Sequence, residues 1–239
     1  MRVLVINPNT TVAVTESIVA EARRVASQDI EITGVSARFG SPFIQTPEES
    51  ATAAEAVLEL VARLAPGFDA VVIAAFSDPG LDAARAVSPV PVVGIAESAM
   101  LTALLCGGRF AIVTLGSALK PVLEQAARRL GCADRLSAIH ALDPPAGAED
   151  GARRAATVQH DHGTTLAGLC RRAAATEGVR SIVLGGGPLA GLAHRIRDQV
   201  PVPLLDGTAC AISHAATLVR LGVRYWPEPE PTPEEARAS

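Results

Sequence analysis

A chain of 239 residues has room for one large domain or two small ones. Hydrophobic residues make up 49% and charged residues 19%, which excludes disorder over most of the length. A net charge of −4 and an aromatic content of 3% exclude a basic nucleic-acid footprint and base-stacking platforms.

Short apolar runs alternate with Ala/Arg/Glu-rich segments, so the elements can be read in chain order. The first strand is Val3–Ile6, and only these four apolar residues follow Arg2. That run is too short for a signal-peptide core, and no apolar run reaches membrane-spanning length. The expected location is cytoplasmic, without membrane contact. Asn7-Pro8-Asn9-Thr10 follows the strand. Pro8 stops strand pairing, and Asn9 or Thr10 can cap the helix expected over Val14–Val25. Capping does not account for Asn7, whose amide is expected to face a ligand.

A strand over Ile30–Val35 and a helix over Glu49–Leu64 come next, then a strand over Ala70–Phe76. Its tip reads Phe76-Ser77-Asp78-Pro79-Gly80. Asp78 before Pro79 has the form of an N-cap pair for the following helix. Ser77 and the neighbouring amides then suit an anion or a developing oxyanion. Strands over Val90–Ile95 and Phe110–Val113 follow, the latter ending at Thr114. After helices over Leu119–Leu130 and Gly151–Ala175 come strands over Ser181–Leu184 and Val202–Leu205. Between these two lies Gly185-Gly186-Gly187-Pro188, where a ligand can approach the backbone closely. It is neither a phosphate loop nor a dinucleotide fingerprint. Strand–helix alternation with strands apolar on both faces gives an α/β fold with parallel sheets. The last residues, 226–239, hold four prolines and four glutamates and read as a disordered acidic tail.

One stretch occurs twice. FDAVVIAAFSDPGLDAARAVSPVPVVGIAESA, from Phe68, aligns with VRSIVLGGGPLAGLAHRIRDQVPVPLLDGTACA, from Val179. Ala75 falls on Gly186 and Pro91 on Pro203. Upstream, RVLVINPNTT pairs with RFAIVTLGSA, placing Asn7 opposite Thr114. Ligands of open parallel sheets sit beyond the carboxyl ends of strands, so two such halves can form one cleft from four strand tips.

Other chemistries find little support. The cysteines, Cys106, Cys132, Cys170 and Cys210, form no CxxC pair and suggest neither a zinc site nor a redox dithiol. His160 and His162 lie two apart on a helix and diverge, so no metal is expected. Lys120, the single lysine, leaves little room for Schiff-base chemistry.

The pieces VLVINPNTT, DAVVIAAFSDPGLDAAR, PVVGIAESA, AIVT and IVLGGGPLAGLA followed by VPLLDG resemble the aspartate/glutamate/hydantoin racemase superfamily, nearest to hydantoin and allantoin racemases. The likeness covers nearly the whole chain. It implies two similar lobes about a pseudo-twofold axis with the active site between them: 1–98 plus 207–239, and 99–206. It also implies a pair of facing thiols, one of which removes the Cα proton while the other returns it. The matching positions here are Ala75 and Gly186, and neither carries a proton. The related arylmalonate decarboxylases keep only the second thiol, which this chain also lacks. What remains is an anion cradle of Asn7, Phe76, Ser77, Asp78, Thr114, Gly186, Gly187 and Pro188, with Ser77 and Thr114 the candidate catalytic groups.

The expectation is a cofactor-independent isomerase or lyase acting through an enolate-like intermediate on a small carboxylate or cyclic imide. A non-catalytic ligand-binding descendant and an engineered cysteine-less racemase are the alternatives. A homo-oligomer is compatible with the sequence.

Overall fold

The computed structural model describes residues 1–143 and 151–224, so the acidic tail 226–239 lies outside it. In the first half, β1 (Arg2–Asn7), β2 (Glu31–Ser36), β3 (Ala70–Ile73) and β4 (Val92–Gly94) pair in the order β2-β1-β3-β4. In the second half, β5 (Arg109–Leu115), β6 (Leu136–Leu142), β7 (Val179–Leu184) and β8 (Leu204–Asp206) pair in the order β6-β5-β7-β8. Every pairing is parallel. The two sheets have one topology, which is the internal repeat expressed as a fold.

The helices are α1 (Val12–Val25), α2 (Pro47–Leu64), α3 (Leu81–Val87), α4 (Ile95–Leu105), α5 (Lys120–Arg129), α6 (Gly151–Ala174), α7 (Leu192–Ile196) and α8 (Gly207–Arg220). The start of α2 is written in the chain. Thr46 accepts from the Glu49 amide, Glu49 returns a bond to the Thr46 amide, and Pro47 occupies the first turn. No helix among the described residues is long and apolar enough to cross a membrane.

Both faces of the central strands are covered. Along β1, Val3 and Val5 face the core shared with the second half, while Leu4 and Ile6 face α2 and α3. Residues 70–73 of β3 divide in the same way. This two-sided burial explains why these strands read as continuous apolar runs. At β3 the apolar run outlasts the strand, because the Ala74 amide makes the last bond, to the Ile6 carbonyl, and the chain turns from Ala75 onward. The strand β6 escaped the sequence reading. It lies at the edge of its sheet with every residue only half-buried, so LSAIHAL carries Ser and His where a central strand would be apolar.

The central helices exchange partners. Helix α4 follows the first sheet yet packs on β5, β7 and β8 of the second. Helix α8 follows the second sheet and packs on β3 and β4 of the first. The two also lie against each other, close enough that a side chain at Gly207 would press on the Ile95 carbonyl.

Candidate active site between the strand tips

The loops after β3 and β7 meet. The Phe76 ring occupies the space beside Gly185 where any side chain would collide with it, and Gly187 stands against the Ala74 carbonyl. Between them is a small cavity of about 30 Å³ lined by Ala75, Ser77 and Thr114 and by Gly186, Gly187 and Pro188. Phe43 and Ile44, from the loop between β2 and α2, cover it. Ala75 and Gly186 thus line one cavity, on opposite lobes.

Several residues that line this cavity have backbone amides without a described partner. Among the described residues, the amides of Ala75, Phe76, Ser77, Gly186 and Gly187 donate to no protein acceptor. The Asp78 amide does not join them, because it closes the turn on the Ala75 carbonyl at 2.9 Å. Pro188 has no N–H to offer. The Thr114 side chain is 3% exposed, lines the cavity and makes no hydrogen bond to a described residue. The Ser77 hydroxyl shares a 2.8 Å hydrogen bond with Ser50 of α2, so its oxygen is partly engaged. No carboxylate, imidazole, amine or thiol lines the cavity among the described residues.

Asn7 is not in the cavity. It is fully buried, and its Nδ2 donates to Asn9 Oδ1 at 2.8 Å and to Thr15 Oγ1 at 2.9 Å, while its Oδ1 accepts from the Asn9 amide. Its amide therefore fastens the loop after β1. Asn9 takes its place on the cavity wall, with Oδ1 engaged by Asn7 and by the Thr11 amide and Nδ2 unbonded to protein. The cap role expected of Asn9 does not hold, since the N-cap position is Thr11, whose hydroxyl donates to the Pro42 carbonyl rather than capping α1. The Asn7 side chain is spent on bonds within its own loop and the first turn of α1, an arrangement that the residue types alone do not announce.

Asp78 also differs from expectation. It does not cap α3, whose N-cap is Gly80. Its backbone is left-handed at φ 45°, and its carboxylate accepts from the Ala96 and Glu97 amides at the start of α4, at 3.0 and 2.7 Å. Gly94 makes room, since a side chain there would strike the Asp78 carboxyl. The second lobe has the same junction built from the other side. There Asp206, at the position equivalent to Gly94, caps α8 through the Thr208 and Ala209 amides and also accepts from the Gly191 amide of the facing loop at 2.7 Å. Burial raises Asp78 to about 7 and Asp206 to about 6, partly countered by these amide donors. Each carboxylate anchors a tip loop to a central helix, so Asp78 shapes the cavity without lining it.

The second tip is glycine by backbone conformation as well as by sequence. Gly186 has φ 139° and ψ 132°, a region that L side chains rarely adopt. Space is not the constraint, for an added Cβ would meet nothing nearer than Leu189 Cγ at 3.7 Å. The four cysteines lie away from the cavity lining, and Cys132, Cys170 and Cys210 are buried.

Fold and cavity together define a two-lobed α/β protein with a donor-rich pocket between equivalent strand tips. A family model described as Asp/Glu/Hydantoin racemase matches residues 3–215, and the chain belongs to that family. It is 33% identical over 232 residues to a hydantoin racemase of Pseudomonas sp., covering 93% of this chain and 87% of that one. The structure is similar to allantoin racemase from Klebsiella pneumoniae, with 38% identity, a TM-score of 0.86, and coverage of 96% of this chain and 94% of that chain. Maleate isomerase from Pseudomonas putida, at 17% identity and a TM-score of 0.70 over 93% of each chain, shares the fold.

Proposed function

We propose that this chain is a cofactor-independent enzyme of isomerase or lyase type that stabilises an enolate-like anion of a small carboxylate or cyclic imide at the strand tips. The observation that supports it is that residues on both tips whose amides make no hydrogen bond to a described residue line one small cavity together with Thr114 and Asn9. Preorganised donors of this kind act where charge develops, and loss of one typically costs about 10²–10³-fold in rate.

The same lining argues against two-thiol racemisation. A racemase of that kind needs a proton acceptor on each face of the reacting carbon, and Ala75 and Gly186 supply none. A positioned base contributes about 10²–10⁴-fold. Decarboxylation fits the cavity with the fewest added groups. The C–C bond breaks, CO2 leaves, and its electron pair moves onto the remaining carboxyl oxygen, where the amides hold the charge. A proton from water then completes the product. No side-chain base is needed to start this sequence.

The test is proton NMR in heavy water. Allantoin, hydantoins, aspartate and glutamate should exchange their Cα proton no faster than without protein. A substituted malonate should lose CO2 and gain one deuterium, and Thr114→Val should slow that loss by about 10²-fold or more. Rapid Cα exchange by the wild type would overturn the proposal. Binding without turnover would identify a ligand-binding descendant.

A further inference from the structure

A second cavity, of about 130 Å³, adjoins the first, and Phe43 and Leu115 line both. Its far wall is helix α6, which presents Arg154. The Arg154 guanidinium lies over the Phe43 ring, 5.5 Å from its centre, and donates to Gln45 Oε1 at 3.1 Å. Both contacts are to the loop that covers the tip cavity. They hold the guanidinium plane in one orientation, which is the condition for forked recognition of a carboxylate.

Arg154 has no carboxylate partner among the described residues. Two acids share the chamber, and each already serves the local backbone or helix. Asp143 accepts from the Ser117 amide at 2.6 Å, and Asp161 accepts from the Thr157 hydroxyl at 2.6 Å. A guanidinium has five N–H donors, and Arg154 spends one on Gln45. Neither acid, nor His162 on the same wall, bonds to the guanidinium, so a half-buried cation with most of its fork unused faces a cavity that shares Phe43 and Leu115 with the tip cavity, and an entering carboxylate can take the open fork.

We propose that the two cavities form one bipartite site, and that the substrate is an acid carrying a second carboxylate at its far end, bound by Arg154. The inference rests on the tip cavity being the reacting site. The reacting end lies among the amides at Ala75 and Gly186, the chain passes Phe43 and Leu115, and the distal carboxylate meets Arg154. Neutralising Arg154 in this way also ties the covering loop to α6 through the bound ligand.

Calorimetry with propionate, succinate, glutarate and adipate tests this on the full chain. At least one dicarboxylate should bind roughly tenfold or more tightly than propionate, the worth of a charge-assisted hydrogen bond. Arg154→Gln should abolish that preference and leave propionate unchanged. Arg171→Gln, the same charge change farther along α6, should preserve it. Thr114→Val should weaken all four probes. Retention of the preference in Arg154→Gln, or its equal loss in Arg171→Gln, would overturn the inference and leave the tip reading intact. A preference that depends on Arg154 but ignores Thr114→Val would place the anion in the outer chamber alone and refute the joint site. Failure of every probe to bind would refute both.

Discussion

Placing thiols at the two strand tips should have unequal consequences, because the tips differ in backbone. Ala75→Cys adds one sulfur atom to a side chain that already faces the cavity at 8% exposure. At Gly186 the added atoms also have space, but the backbone sits at φ 139°. A non-glycine residue held in such a region costs about 1–3 kcal/mol. For a chain of 150–250 residues, each kcal/mol lowers the melting temperature by about 2–4 °C. Gly186→Cys should therefore melt about 2–12 °C below the wild type, and Ala75→Cys should stay close to it. Gly186→Ala is the control, since it carries the same backbone cost without a thiol and should match Gly186→Cys. Thermal unfolding by circular dichroism reads all three. Cα–deuterium exchange on allantoin and hydantoins then reads the double variant, which should gain activity only as far as residue 186 can leave its glycine conformation. A Gly186→Cys protein as stable as the wild type would refute the strain argument. Destabilisation by cysteine but not by alanine would refute it as well, by moving the cause to the sulfur.

Three further outcomes follow from the same geometry. Gly185→Ala should cost about 1–3 kcal/mol, because its Cβ falls on the Phe76 ring, and pairing it with Phe76→Leu should recover part of the loss in urea titrations. Asp78 and Asp206 have folded pKa values raised to about 7 and about 6, so the fold binds more protons than the unfolded chain above about pH 4. Their contribution to stability is full below that pH and is lost as pH rises through 6 and 7; the wild-type urea midpoint should fall over this window more steeply than that of Asp78→Asn. Cys106 is exposed, whereas burial pushes Cys170 up to about 12 and Cys210 up to about 11, so a thiol reagent should label Cys106 first in the folded protein.

The features legible in the sequence were those written in repetition and periodicity. Two copies of a strand–tip–helix–strand pattern placed Ala75 and Gly186 in equivalent positions, and the structure lines one cavity with both. Apolar runs located the central strands because those strands are buried on both faces. The features that were not legible depend on contacts distant in sequence. Asp78 has the local pattern of a cap for α3, yet it caps α4, across 18 and 19 residues. Asn7 and Asn9 are both buried and look alike as residues, and only Asn9 comes to line the cavity, in a loop that Thr11 ties to the Pro42 carbonyl across 31 residues. The outer chamber depends on Arg154 reaching Gln45 across 109 residues, a meeting that no spacing rule encodes.

The exchange of α4 and α8 between the sheets sets an order of events for the growing chain. The face of β3 and β4 that α8 covers belongs to residues 70–94, but the helix that covers it is 207–220. A ribosome delivering about 5–20 residues per second therefore exposes that apolar face for several seconds before its cover exists. The first sheet cannot finish folding during synthesis, and its closure waits on the last described helix. Slow, long-range closure of this kind raises the barrier to folding and leaves an aggregation-prone surface open in the interval. Cutting the gene between the two halves would give two fragments, each bearing the other's missing helix, that become stable only by finding one another.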